Sequence, residues 1–257
     1  MDEYSYAEFE ESYKKIYDSL TKDKVLQEKH CVVFLGGQPG TGKSNFINQD
    51  YAFSNYIQIN GDEYRKFHPR YDEIISYDIK SMPERTQKFV NECIERLIND
   101  LSDDEYNLII EGTLRDSQVT INTCQNLKSK GYSTDLYIVS VDAVVSWEST
   151  INRAELLKNM GETPRYVSID KYNYIVNNLI NSVKNIESAT CFDNIYVINR
   201  NNKILYPEAG AISAASVVEE QLNLNKWNEL FPILKDKFID MKIDVLQYQK
   251  KKRRGGR

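Results

Sequence analysis

Hydrophobic positions recur at spacings of three and four over residues 4–28, through Tyr6, Phe9, Tyr13, Ile16, Tyr17 and Leu20, which predicts an amphipathic helix. The pattern then changes. Cys31-Val32-Val33-Phe34-Leu35 is a short β-branched and aromatic run that stops at the breaker pair Gly36-Gly37, the mark of a buried strand. Further strands are predicted at Tyr56-Ile57-Gln58-Ile59, Leu108-Ile109-Ile110, Leu136-Tyr137-Ile138-Val139 and Ile195-Tyr196-Val197-Ile198. Helical segments separate them. The best marked opens at Ser81-Met82-Pro83-Glu84, where Ser-x-x-Glu reads as a capping box with Pro in the first turn. Short apolar strands alternating with helices predict an α/β fold, a five-stranded parallel sheet covered by helices on both faces. Ligands of such sheets bind beyond the carboxyl ends of the strands, so chemistry is expected just after residues 35, 59, 110, 139 and 198.

From about residue 211 the pattern is helical without strands, through Leu222, Trp227, Leu230, Ile233, Leu234 and Phe238. The chain therefore divides into a domain over residues 1–210 and a helical extension over 211–257. The extension closes on Lys250-Lys251-Lys252-Arg253-Arg254-Gly255-Gly256-Arg257. Composition adds little to this outline. The 257 residues are 41% hydrophobic and 28% charged, ordinary for a globular chain, and 18 Tyr with 9 Phe exclude disorder throughout. A chain of this length buries roughly 70–75% of its unfolded surface and needs no disulfide or metal for a core. Thirty-three Lys and Arg against 38 Asp and Glu give a net charge of −5, so nucleic acid is not expected as the main substrate and the basic run reads as a solvated end.

Cys31, Cys93, Cys124 and Cys191 are far apart, and His30 and His68 are the only histidines. A zinc site is not expected; buried thiols in a reducing compartment are. The acidic start Met1-Asp2-Glu3-Tyr4 does not resemble a signal peptide, and the longest apolar run, Cys31 to Leu35, is too short to span a bilayer. A cytoplasmic protein with no membrane partner is expected.

Candidate chemistry begins at Gly37-Gln38-Pro39-Gly40-Thr41-Gly42-Lys43-Ser44, which satisfies G-x-x-x-x-G-K-[ST] between a predicted strand and a predicted helix. Its glycines let backbone N–H groups curl round phosphates and the helix N-terminus adds a favourable dipole. Lys43 is expected on the β- and γ-phosphates of ATP or GTP, and the Ser44 hydroxyl on Mg²⁺. The second strand leads into Asn60-Gly61-Asp62, which puts a carboxylate where a phosphoryl acceptor would lie; Asp62 is a candidate general base or orienting group, or simply a helix cap. The third strand ends Ile110-Glu111-Gly112-Thr113, similar to a Walker B element. Glu111 is a candidate for Mg²⁺, directly or through water, or for contact with the acceptor. Arg153, in the helix after the fourth strand, and Arg165, beyond the break Gly161-Glu162-Thr163-Pro164, are placed like the lid arginines that bring positive charge over a transferring phosphoryl group.

Together these segments resemble the zeta toxin family of P-loop kinases. The likeness runs from about residue 30 to about 205. It rests on Leu35 through Ser44, on Asp62 followed by His68-Pro69 and Asp72-Glu73, on Tyr106-Asn107-Leu108-Ile109-Ile110-Glu111-Gly112-Thr113-Leu114-Arg115, and on Arg153 and Arg165. The resemblance implies a P-loop fold of the nucleoside and adenylate kinase type with strand order 2-3-1-4-5. It implies transfer from ATP, with Mg²⁺, to the 3′-hydroxyl of the N-acetylglucosamine in UDP-N-acetylglucosamine, to the detriment of cell-wall synthesis. Asp62 would then be the base; Lys43, Arg153 and Arg165 would stabilise the phosphoryl group; Glu111, Thr113 and Arg115 would contact the sugar nucleotide, Arg115 pairing with its diphosphate. A further family carboxylate falls on Glu95, with Glu92 one turn earlier as the alternative. A small helical antitoxin of the epsilon type, on a separate chain, is the implied partner. A kinase of another hydroxyl, such as an antibiotic, another sugar nucleotide or a polynucleotide end, would use the same phosphoryl-transfer residues. A nucleic-acid-associated P-loop ATPase is the alternative from another class.

Overall fold

The computed structural model describes residues 3–49, 53–208 and 210–236. In chain order its elements run α1 (Tyr6–Thr21), β1 (Cys31–Gly36), α2 (Lys43–Gln49), β2 (Ile57–Ile59), α3 (Gly61–Tyr64) and, after a 3-10 turn at Arg65–Phe67, α4 (Tyr71–Asp78) and α5 (Met82–Arg85). There follow α6 (Gln87–Asp103), β3 (Leu108–Glu111), α7 (Ser117–Ser129), β4 (Ser133–Val139), α8 (Ala143–Asn159), α9 (Ile169–Ala189), β5 (Asn194–Ile198), β6 (Ile204–Tyr206) and α10 (Ala214–Leu222).

The sheet order is β2-β3-β1-β4-β5-β6. The first five strands pair in parallel, as the alternation of apolar strands and helices predicts. The sixth, not expected from the sequence, adds antiparallel to β5. A tight turn makes it possible: Asn202 takes φ +61° and the Asn199 N–H donates to the Lys203 carbonyl at 3.0 Å. Along β1 the side chains alternate, Val32 and Phe34 entering the larger core and Val33 and Leu35 the smaller one. A strand buried on both faces needs the continuous apolar run that made it legible. The larger core collects α1, α6, α7, α9 and α10 on one face of the sheet. On the other, Phe46 of α2 packs on Tyr137 with ring centroids 4.7 Å apart, and Tyr137 stacks on Tyr196.

Two local expectations are corrected. The first helix ends at Thr21 rather than 28, because Val25 and Leu26, which would continue it, stand exposed. Its true start is a capping box between Ser5 and Glu8. The box expected at Ser81 and Glu84 does not form. Ser81 is already in helical conformation, and its Oγ donates to the Asp78 carbonyl at 2.8 Å instead of accepting from Glu84. Residues 224–236 are helical as well, and with α10 they pack into the main core. Trp227 is fully buried, 4.9 Å from the Tyr172 ring, and its Nε1 donates to Asn173 Oδ1 at 2.9 Å. Phe238 and the basic run at 250–257 lie outside the described residues. Cys93, Cys124 and Cys191 are buried and Cys31 half-buried, all as free thiols. Among the described residues no helix is long and apolar enough to cross a membrane.

Candidate active site

The loop between β1 and α2 is held from three sides. Gly37 takes φ +130° and Gly40 φ +83°; a Cβ would lie 2.2 Å from the Val139 carbonyl at the first and 2.1 Å from the Ser146 carbonyl at the second. Only glycine fits either place, so the loop lies directly against the end of β4 and the first turns of α8. Buried Gln38 donates through Nε2 to the Val141 carbonyl at 2.7 Å and to Ser146 Oγ at 3.2 Å. From outside, Arg200 Nη2 donates to the Gly40 carbonyl at 2.8 Å and Nε to the Thr41 carbonyl at 3.3 Å. With its carbonyls taken from outside, the loop keeps N–H groups for an anion. Gly40→Ala is therefore expected to cost of order 1–3 kcal/mol from backbone strain alone and to weaken ATP binding; thermal unfolding and calorimetric titration with ATP check this.

Lys43 opens α2 beneath this loop, 8% exposed, and its Nζ donates to the Gly37 and Gln38 carbonyls at 2.9 and 3.1 Å. Burial pushes its ammonium below the usual lysine range, against the pull of Glu111 and, more weakly, Asp62, while Arg153 pushes the same way as burial.

Across the sheet the pairing of Ile59 with Ile110 sets Asn60 beside Glu111. Asn60 Nδ2 and Gln58 Nε2 both donate to Glu111 Oε2, at 2.9 and 3.2 Å. The other face of the Asn60 amide caps α3, its Oδ1 accepting from the Asp62 N–H at 3.1 Å. The Asp62 side chain is 45% exposed and accepts on Oδ1 from Arg65 Nε at 3.0 Å. Desolvation works to raise its pKa, but Arg65, Arg165 and Arg153 together overrule it and hold the carboxyl below the usual range.

Beyond β3, Leu114 takes φ +54° and buries its side chain where a Cβ on Gly36 would lie 2.3 Å from Leu114 Cδ1. That plug pins the loop under the end of β1, leaving Thr113 half-buried and Arg115 exposed. Lys171, in the first turn of α9, faces the same region; burial and then repulsion from Arg115 and Arg65 push its ammonium down.

Gly40 packs on Ser146 and Thr150, so that face of α8 meets the loop. Arg153 follows at the same helical spacing and is thereby delivered beside it. Its Nε is buried and, among the described residues, has no hydrogen-bond partner. Its burial lowers its pKa, with Asp62 and Glu111 pulling the other way. The chain then turns at Gly161, φ +76°, and Arg165 pairs with Glu63 next to Asp62. Burial works against the Arg165 charge, but the Glu63 hydrogen bond and charge outweigh it and raise its pKa.

Lys43, Asp62, Glu111, Arg153 and Arg165 thus act on one another electrostatically in a single cluster. Glu95 lies elsewhere. It is exposed and lines a groove between α1 and α6 with Tyr6 and Arg96, while Glu92, beside it, accepts from the Tyr4 hydroxyl at 2.6 Å. Three participants went unnoticed in the sequence. Arg200 sits just after residue 198, where the strand-end rule pointed. Arg65 and Lys171 carry no motif that would have marked them.

The donors also suit a divalent cation. The Ser44 side chain is exposed, and Glu111 has Oε1 without a hydrogen bond among the described residues. A hydroxyl and a carboxylate oxygen are the hard donors Mg²⁺ takes, with water and phosphate completing its shell.

Sheet order, phosphate loop and the arginine-bearing helix after β4 are those of a P-loop protein of the nucleoside-kinase type. The chain belongs to the zeta toxin family, whose sequence model matches residues 17–210. It is 30% identical over 233 residues to Toxin PezT of Streptococcus pneumoniae, covering 90% of this chain and 92% of that one. It is 31% identical over 248 residues to Toxin zeta of Streptococcus pyogenes, covering 94% and 86%. A solved structure from the PezAT chromosomal toxin-antitoxin system of S. pneumoniae matches with TM-score 0.75 at 29% identity, over 95% of this chain and 98% of that one.

Proposed function

We propose that this protein is a toxin kinase that transfers the γ-phosphoryl group of ATP to the 3′-hydroxyl of the N-acetylglucosamine in UDP-N-acetylglucosamine, inhibiting cell-wall synthesis. The observation that carries the reading is an ionised, half-exposed carboxylate, Asp62, in one electrostatic cluster with Lys43 and two arginines. A carboxylate beside the γ-phosphate can orient either a water or an alcohol as nucleophile, and membership of the zeta toxin family favours the alcohol of an acceptor. A carboxylate that accepts from a hydroxyl gives that hydroxyl a reason to be next to the γ-phosphate.

The nucleotide phosphates lie in the N–H groups of residues 37–44. Lys43, Arg153 and Arg165 meet the charge that spreads over the transferring group. The acceptor hydroxyl donates to Asp62. As its oxygen bonds to phosphorus and the bond to ADP breaks, the proton passes to the carboxylate. In a loose transition state the hydroxyl loses its proton late, so a carboxylate of low basicity suffices. Mg²⁺, held through Ser44 and Glu111, supplies further charge neutralisation at the phosphates when bound.

Glu111 and Thr113 are read as sugar contacts and Arg115 as the partner of the acceptor diphosphate. Glu95, in the groove against α1, is not needed for this half of the reading. Arg115→Ala is expected to raise the acceptor KM about 10- to 100-fold, the worth of a hydrogen bond to a charged group, with the ATP KM unchanged; a rise confined to ATP would remove the assignment. The PezAT likeness supports an antitoxin on a separate chain, and ATP with a nucleotide sugar supports a cytoplasmic site. ADP release with and without UDP-N-acetylglucosamine tests the reaction class. Acceptor-dependent release supports a kinase, and release independent of any acceptor contradicts it.

A further inference from the structure

We propose that Arg65 is the positioning residue that fixes Asp62 in the orientation the acceptor hydroxyl meets. The inference rests on the reading of Asp62 as the acceptor-side base. Arg65 lies one turn beyond Asp62, in the 3-10 segment, and is itself 9% exposed. Its donors divide in two directions. Nε goes to Asp62 Oδ1 at 3.0 Å. Nη1 goes to the Pro83 carbonyl and to Thr86 Oγ1, both at 2.8 Å, and Nη2 to Gln87 Oε1 at 3.2 Å. Three of the four bonds therefore tie the guanidinium to the junction before α6, and the fourth presents one N–H to the carboxylate.

An ordinary exposed Asp–Arg pair contributes little because both long side chains stay free to part. Here the arginine is not free. It is buried and bolted to the scaffold, and of the two side chains the carboxylate is the exposed one, at 45% against 10%. The Asn60 cap fixes the backbone of Asp62 and Arg65 fixes its side chain through Oδ1, so among the described residues Oδ2 is left to accept from a hydroxyl. Holding a reacting group within a fraction of an ångström is worth orders of magnitude in rate. Lysine cannot replace this fork, because an ammonium is a point donor without the planar geometry that serves all four partners.

Arg65→Gln and Arg65→Lys separate positioning from bracing. Arg153, Arg165, Lys43 and Lys171 also act on Asp62 and are untouched by either change. In Arg65→Gln the Asp62 carboxyl, followed by ¹³C NMR in the full chain without nucleotide or acceptor, is expected to titrate at higher pH than in the wild type. The acidic limb of the transfer rate should move with it, and kcat should fall about 10²-fold with the ATP KM unchanged. Arg65→Lys keeps the charge and covers the case in which the glutamine variant does not fold. Its Asp62 titration should stay near that of the wild type while kcat still falls. Wild-type kcat in a folded Arg65→Lys protein, or an unmoved Asp62 titration in folded Arg65→Gln, would overturn the proposal and leave Arg65 as a brace. A moved titration with unchanged transfer would uphold the Arg65–Asp62 link and instead remove Asp62 from the reaction.

Discussion

Asp62→Asn is expected to lower kcat for transfer about 10²–10⁴-fold, the range lost with a general base, while ATP binding stays as in the wild type. The amide keeps the size of the side chain, and its oxygen can still accept from Arg65 Nε, so the fold around α3 has no reason to change. What is lost is the charge and with it the acceptor for the hydroxyl proton. The wild-type pH profile carries a second signature. Desolvation pulls the Asp62 pKa up but Arg65, Arg165 and Arg153 carry it down, so the active, ionised form persists as pH falls. The acidic limb assigned to Asp62 should lie below the ordinary Asp value of about 3.9. An acidic limb well above that value would point to a different base. Steady-state kinetics across pH, with calorimetric ATP titration of the variant, measure both effects.

Lys43→Met is expected to reduce kcat by at least about 10²–10³-fold, the scale on which one fixed oxyanion donor acts. The ammonium is the cation the fold buries beneath the phosphate loop, and no neighbour can take its place: Arg153 and Arg165 come from the lid side. The loss should not come from unfolding. Burial of the ammonium is itself unfavourable, as its lowered pKa records, and methionine fills similar space without a charge to desolvate. Against that gain, methionine leaves the Gly37 and Gln38 carbonyls without their donor, so thermal stability is expected to change little as activity falls. A variant that loses both together would point to a structural role for Lys43.

The parts of this molecule that could be read from its sequence are those written in local pattern. β1 and β3 are continuous apolar runs because both faces of the sheet are covered. The phosphate loop is legible because Gly37 and Gly40 must adopt backbones that other residues avoid, against the Val139 and Ser146 carbonyls. Other parts depend on partners distant in sequence. β6 is only three residues long and becomes a strand by pairing back on β5 through the Asn201-Asn202 turn. Ser81 has the spacing of a cap, yet a helical turn already under way claims its hydroxyl. Arg65 and Arg200 look like surface residues in the sequence; one is buried by the junction before α6 and the other sits against the loop carbonyls. Glu95 shows the converse. The family resemblance implies an acceptor-side carboxylate at Glu95 or Glu92, and the sequence does not show that both line a groove against α1 with Tyr6 and Arg96.

The most direct test of the central claim is mass spectrometry of the nucleotide sugar after incubation of the full chain with ATP, Mg²⁺ and UDP-N-acetylglucosamine, with Lys43→Met carried in parallel. The account predicts one added phosphoryl group, located by fragmentation on the N-acetylglucosamine and absent from the variant. An unmodified sugar nucleotide beside accumulating ADP would contradict the acceptor assignment.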